Sequence, residues 1–120
     1  MSYNSKYTGQ QVESLLDQVK NGSVGGSAYP RVDHGTTNTS FSLSPNTFHV
    51  WDEVASLDLS FTSGDESVTN EYLFQFVSGG IPATLSLPDG IRWIGGEPNI
   101  EANKTYQISI VDNIGLIVGV

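Results

Sequence analysis

Two histidines, thirteen acidic side chains and two tryptophans are the groups in this 120-residue chain that could do chemistry. His34 reads as part of a polar loop, and His49 alternates outward between Phe48 and Val50. Neither stands at a motif spacing from a nucleophile or a second ligand, so each reads as a solvated or packed histidine and not as a triad member. The carboxylates Asp52/Glu53 and Asp65/Glu66, with Glu71 nearby, are of the residue type used by a glycosidase pair or a calcium loop. The Asp-x-Asp-x-Asp-Gly spacing of a calcium loop is missing, and in a chain of net charge −8 loop acids read as solvated charge. Gly79-Gly80 and Gly95-Gly96 do not open a helix after a strand, as a phosphate loop does, and read as hairpin turns. Asn21-Gly22-Ser23, Asn38-Thr39-Ser40 and Asn103-Lys104-Thr105 match the glycosylation triplet, a chance match in a chain whose start carries no apolar signal core. Trp51 and Trp93, with Tyr72 and Tyr106, have the chemistry of an aromatic sugar platform, although alternating aromatics in strands more commonly fill cores and interfaces. Trp51 and Trp93 are therefore the candidates for glycan contact, and no catalytic, cofactor-binding or metal-ligating set is expected.

The elements that must position these groups fall into three zones. From Thr8 to Lys20, Val12, Leu15, Leu16 and Val19 recur at i, i+3, i+4 and i+7, which puts them on one stripe of a short α-helix. Thr8 and Gln11 form a capping box, Lys20 suits the C-terminal dipole, and Asn21-Gly22 supplies a left-handed stop. An isolated helix of about thirteen residues is marginal in water, so the stripe must pack on something. Asn21 to Ser27 reads as a flexible Gly/Ser linker. Residues 1–27 are thus expected to form a helical anchor with its linker, and residues 28–120 a β domain.

Within that domain Ala28 to Ser40 reads as extended or loosely paired. From Phe41 the apolar period becomes two, in the sets Phe41/Leu43, Phe48/Val50, Leu57/Leu59/Phe61, Tyr72/Phe74/Phe76, Leu85/Leu87, Ile91/Trp93, Tyr106/Ile108/Ile110 and Leu116/Val118/Val120. Turn chemistry separates them: Ser44-Pro45-Asn46, Pro88-Asp89-Gly90, Gly95-Gly96-Glu97-Pro98 and Asp112-Asn113 among others. Short strands at this spacing predict a mainly β fold, a small antiparallel sandwich or jelly-roll-like domain. Its last strand ends in apolar Leu116, Val118 and Val120, a surface that calls for a covering neighbour.

Composition bounds the partners. Thirteen acidic against five basic residues give the wrong sign for nucleic acid or an anionic membrane, and there is no apolar run of about eighteen residues. Without cysteine, a domain this small relies on packing or oligomerisation.

The segments Asn70 to Gly79, Ala83 to Pro88, Ile91 to Trp93 and Ile100 to Ile110 resemble a small β domain recurrent in structural proteins of tailed bacteriophages of gut bacteria. Tyr7 to Asp17 is similar to the start of many such virion proteins, including head fibres. The resemblance implies a non-enzymatic virion accessory protein, a head fibre or capsid decoration. Such a protein would be made in the host cytoplasm and attached to the capsid or other virion proteins through its N-terminal helix, commonly as a homotrimer. No catalytic residue is carried over. Val12, Leu15, Leu16, Val19, Leu116 and Val118 would then serve as the anchor and oligomer interface. The alternative expectation is a carbohydrate-binding adhesin module that recognises cell-surface or mucosal glycans.

Overall fold

Parallel strand pairing organises the chain. A computed structural model describes residues 29–120; the expected helix, its stripe Val12, Leu15, Leu16 and Val19, and the linker lie outside the described residues. Nine strands follow in order: β1 Arg31–Gly35, β2 Ser40–Leu43, β3 Thr47–Glu53, β4 Ser56–Phe61, β5 Glu71–Ser78, β6 Thr84–Ser86, β7 Arg92–Trp93, β8 Lys104–Val111 and β9 Ile114–Gly119. They form a six-stranded sheet, β1-β3-β5-β8-β9-β7, and a three-stranded sheet, β2-β4-β6.

The domain is mainly β, but it is not antiparallel as the turn spacing suggested. β1, β3 and β5 run parallel to one another in the large sheet, and β2, β4 and β6 do so in the small one. Parallel neighbours cannot be closed by a tight hairpin and need a crossover. Here the crossover is a strand of the other sheet, so the chain alternates between sheets from β1 to β6 and stacks equivalent strands side by side. Phe41 lies beside Leu59, and Leu57 beside Leu85. Gly79-Gly80 accordingly begins a crossing between sheets, and Gly95-Gly96 links β7 to β8, which are not neighbours; neither pair makes a hairpin.

Antiparallel pairing enters with β8, which lies against β5 on one side and β9 on the other. The two-residue turn Asp112-Asn113 closes the β8–β9 hairpin with both residues at positive φ, 51° and 60°. That is the backbone of a type I′ turn, whose twist matches its flanking strands and which Asn and Asp tolerate better than other side-chain-bearing residues.

The core lies between the sheets. Leu43, Leu57 and Leu59 of the small sheet meet Trp51, Phe74, Phe76, Tyr106, Ile108 and Ile110 of the large one. The register puts Phe48, Val50 and Leu73 on the opposite face, where they are also buried, at 3%, 5% and 0% exposure. With both faces of β3 covered, its sequence loses the polar-out alternation that would have marked the inward side. His49 therefore points into the domain, contrary to the outward position that its apolar flanks implied.

One side chain fixes where β3 starts against β5. Asn46, at φ 54°, donates its backbone N–H to Glu71 O at 2.7 Å and accepts the Glu71 N–H on Oδ1 at 2.9 Å. Its Nδ2 reaches Thr69 O at 3.2 Å. Alanine there removes the acceptor that the Glu71 N–H uses on Asn46 and strains the left-handed backbone. Asn46→Ala is expected to lower stability by about 2–3 kcal/mol, and Asn46→Gly, which keeps the backbone but not the acceptor, by about half as much. Urea unfolding of the three proteins checks this, and equal midpoints for Asn46→Ala and wild type would rule the clamp out.

Candidate functional site

Among the described residues, no cluster of three or more His, Asp and Glu side chains is positioned to hold a metal ion. Asp65 is spent on its own loop, accepting from Ser67 N at 2.9 Å and Ser67 Oγ at 2.7 Å, and those bonds hold its carboxyl below the usual range.

The two histidines, fifteen residues apart in sequence, meet inside the domain because β1 lies beside β3. His34 is in β1, not in a loop, and the strand is irregular there, which turns the ring toward Trp51. His34 Nε2 lies 3.0 Å from His49 Nδ1. Asn38 Nδ2 stands 3.1 Å from His34 Nδ1, and Ser44 Oγ 3.0 Å from His49 Nε2. An amide nitrogen can only donate, so His34 Nδ1 accepts, its Nε2–H donates to His49 Nδ1, and His49 Nε2–H donates to Ser44. Every ring nitrogen is satisfied with both rings neutral, and a second proton would place two positive charges side by side. Burial pushes both histidines below their ordinary pKa, and for His49 the His34 charge pushes further. The pair is a polar rivet of the core with no open approach for a substrate: His34 is 8% and His49 2% exposed.

The two tryptophans part company. Trp51 is 1% exposed, stacks on His34 with ring centroids 4.3 Å apart and donates its indole N–H to Thr37 O at 2.8 Å. It presents no ring face to a sugar, so the glycan role considered for it does not fit its position. Trp93 lies in β7, a short edge strand, and lines an open cleft of about 510 Å³. Its six-membered ring rests on Gly115 of β9, where an added Cβ would stand 2.7 Å from Cε3 and Cζ3. The missing side chain at Gly115 thus lets the indole sit close against β9. Leu87, Ile91 and Pro98 add apolar walls, while Ser86, Asp89 and Glu97 supply polar groups. Asp89 and Glu97 were not singled out by spacing, although each lies four residues from Trp93 within a Gly/Pro turn. That symmetry was the signal in the sequence.

The back face of the large sheet is the second feature. Two rows cross it from β3 to β9: Phe48, Leu73, Ser109, Leu116 in one, and Val50, Gln75, Gln107, Val118 in the other. Gln107 Nε2 donates to Gln75 Oε1 at 2.6 Å, and Ser109 donates to Glu71, so the polar members of the rows are tied down. Exposure rises toward β9, where Leu116 is half-buried, Val118 is 37% exposed and Val120 82%. Leu116 and Val118 therefore do not point into the core. Gly115, Ile117 and Gly119 take that side, and an added Cβ at Gly119 would stand 2.6 Å from the Tyr106 ring. Comparison with protein-family models, with characterised proteins and with solved structures finds no match.

The histidine pair makes a pH prediction. Because burial puts the folded-state pKa values below the ordinary 6.5, the unfolded chain binds protons first as pH falls. Stability is then full above about 6.5 and declines below it, until the folded rings also protonate, at no more than about 1.4 kcal/mol per pH unit for each ring. Thermal unfolding between pH 7.5 and 5 should show Tm falling with acidity, and the double variant His34→Gln/His49→Gln should lose that slope whatever its stability at neutral pH. A wild-type Tm that is flat across this window would contradict it.

Proposed function

We propose that the chain is a non-enzymatic structural subunit of a tailed-phage virion, a head fibre or capsid decoration. In this reading residues 1–27 attach it to the particle, and copies associate as a homotrimer while displaying the β domain. The observation that carries this reading is the apolar back face, which continues from buried Phe48 and Leu73 to the exposed side chains of β9. Isolated exposed aliphatic residues are ordinary, whereas a strip that ends on Val118 and Val120 at a sheet surface has the character of an interface. At roughly 25 cal/mol per Å², burying such side chains contributes about 1–2 kcal/mol each. A trimer repeats that gain at each contact. The rigid, closely stacked core behind the strip costs little entropy to dock.

The resemblance to phage structural modules supports the same reading, since the segments that carry it include β5, β6, β7 and β8. Those strands belong to both sheets and carry packing positions. The acidic charge, −8, suits a subunit that must remain soluble before assembly.

Light scattering on the full chain at tens of micromolar is expected to give the mass of a trimer. Val118→Glu, which adds a charge to a side chain already at the surface, is expected to give a monomer that keeps the wild-type circular dichroism and loses any dependence of its unfolding midpoint on protein concentration. Mass spectrometry of purified particles should detect the full chain and miss a version lacking residues 1–27. A monomeric wild type, or equal particle attachment by both versions, would overturn the proposal.

A further inference from the structure

The cleft at Trp93 is independent of the back face and of any particle, and its chemistry points outward. It opens where the edge strand of the small sheet, β6, and the edge strand of the large sheet, β7, lie close enough to line one space. A volume of about 510 Å³ falls within the roughly 300–1,000 Å³ of small-ligand clefts. The Trp93 indole N–H, the Ser86 hydroxyl and the carboxylates of Asp89 and Glu97 make no hydrogen bond to other described residues. These groups have no partner among the described residues and are open to one from a ligand.

We infer that this cleft binds a neutral oligosaccharide, with a sugar ring laid on the face of Trp93 and its hydroxyls donating to Asp89 and Glu97. A pyranose has an apolar C–H face and a rim of hydroxyls, and the cleft offers the complement of each. The indole and the walls at Leu87 and Ile91 take the C–H face, and the two carboxylates accept from the rim through charge-assisted bonds. The same carboxylates, in a chain of net charge −8, repel uronic and sialic acids, which sets the ligand class as neutral. A quaternary ammonium ligand would also suit a carboxylate and an indole, but recognition of that kind uses a cage of several aromatic rings. Among the described residues, Trp93 is the only aromatic side chain on this cleft.

Preorganisation favours the assignment. Trp93 is fixed by Gly115 beneath it and by strand pairing, with its neighbours Arg92 N–H bonded to Asn113 O at 2.7 Å and Ile94 N–H to Gly115 O at 2.9 Å. Asp89 and Glu97 stand on turns whose glycines Gly90, Gly95 and Gly96 adopt φ of 92°, 86° and 96°. These are conformations open to glycine and strained for other residues. The platform therefore does not have to be assembled when the ligand arrives, and the binding energy is not spent on ordering it.

The full chain titrated with neutral oligosaccharides of glucose, mannose and galactose should bind at least one of them, read as a change in Trp93 emission and confirmed by calorimetry. The signal is assignable because Trp51 is buried, and Trp93→Phe should abolish the optical change. Asp89→Asn and Glu97→Gln, both at exposed turns, should each weaken binding by ten-fold or more while leaving the unfolding midpoint in place. Galacturonic oligomers and sialyllactose should bind at least ten-fold more weakly than the neutral ligand. The inference fails if no neutral probe binds at about 10 mM, a concentration that fills millimolar sites. It fails equally if both carboxylate variants bind like wild type, or if choline or an acidic sugar is preferred. Because the readout uses isolated protein and Val118 plays no part in it, its failure and that of the virion role are separately visible.

Discussion

The parallel register between β1, β3 and β5, repeated between β2, β4 and β6, is the constraint on which the rest of the domain depends. A parallel pair forbids the short return that a hairpin allows, so the chain must leave the sheet and come back. Here it leaves by forming the opposite sheet, and each excursion deposits one more leucine-bearing strand over the aromatic layer of the large sheet. Core and connectivity are thereby the same object: loosening the Leu57–Leu85 or Phe41–Leu59 contacts would also unseat the crossovers that join β3 to β5. The histidine chain belongs to this logic, since His34 and His49 are brought together by β1 pairing beside β3 and serve as the polar tie between the first two passes.

Antiparallel pairing is needed to end such a stack. β8 pairs along β5 over eight residues, from Glu71 beside Val111 to Ser78 beside Lys104, and β9 returns at once through Asp112-Asn113. The return places Gly115 and Gly119 over aromatic rings, so that β9 approaches Trp93 and Tyr106 more closely than any side chain would permit. Small residues facing inward force the large ones, Leu116 and Val118, to face outward. The apolar back face of β9 is in this sense the complement of a well-packed interior and not an independent feature.

Much of the strand content was legible because Phe74/Phe76, Leu57/Leu59 and Ile108/Ile110 alternate with polar neighbours. The direction of pairing was not, because period two is identical in parallel and antiparallel sheets and turn residues do not say whether a chain turns back or crosses over. β1 was blurred for another reason: its only aliphatic side chain is Val32, and its burial comes from His34, a residue that reads as polar in isolation. Trp51 and Trp93 are equivalent in the sequence pattern and differ because one lies on a central strand and the other on an edge. The same ambiguity hid the partnership of Asp89 and Glu97 with Trp93, whose equal spacing means something only once β7 is known to be two residues long between two loops.

A central strand and an edge strand can carry the same residue for opposite ends, and this separates the chain's two candidate surfaces. In the middle of the large sheet Trp51, Phe74, Phe76 and Tyr106 are packed in the core, so chemistry there is limited to satisfying its own hydrogen bonds, as Trp51 does with Thr37 and the histidines do with each other. At the edge, one side of an aromatic ring can be held by the sheet while the other remains available, and a glycine in the neighbouring strand is enough to hold it. Trp93 on Gly115 meets that condition, and the loops flanking so short a strand are free to bring acids to it. The back face meets a different one: its rows are largely apolar, and their polar side chains are tied in the pairs Gln107–Gln75 and Ser109–Glu71. An apolar strip suits another protein surface, which can exclude water from it, and a cleft with several unpartnered polar groups suits a small hydroxylated ligand, which can answer each of them. The proposed assembly on one and the inferred recognition on the other would therefore not compete for the same residues.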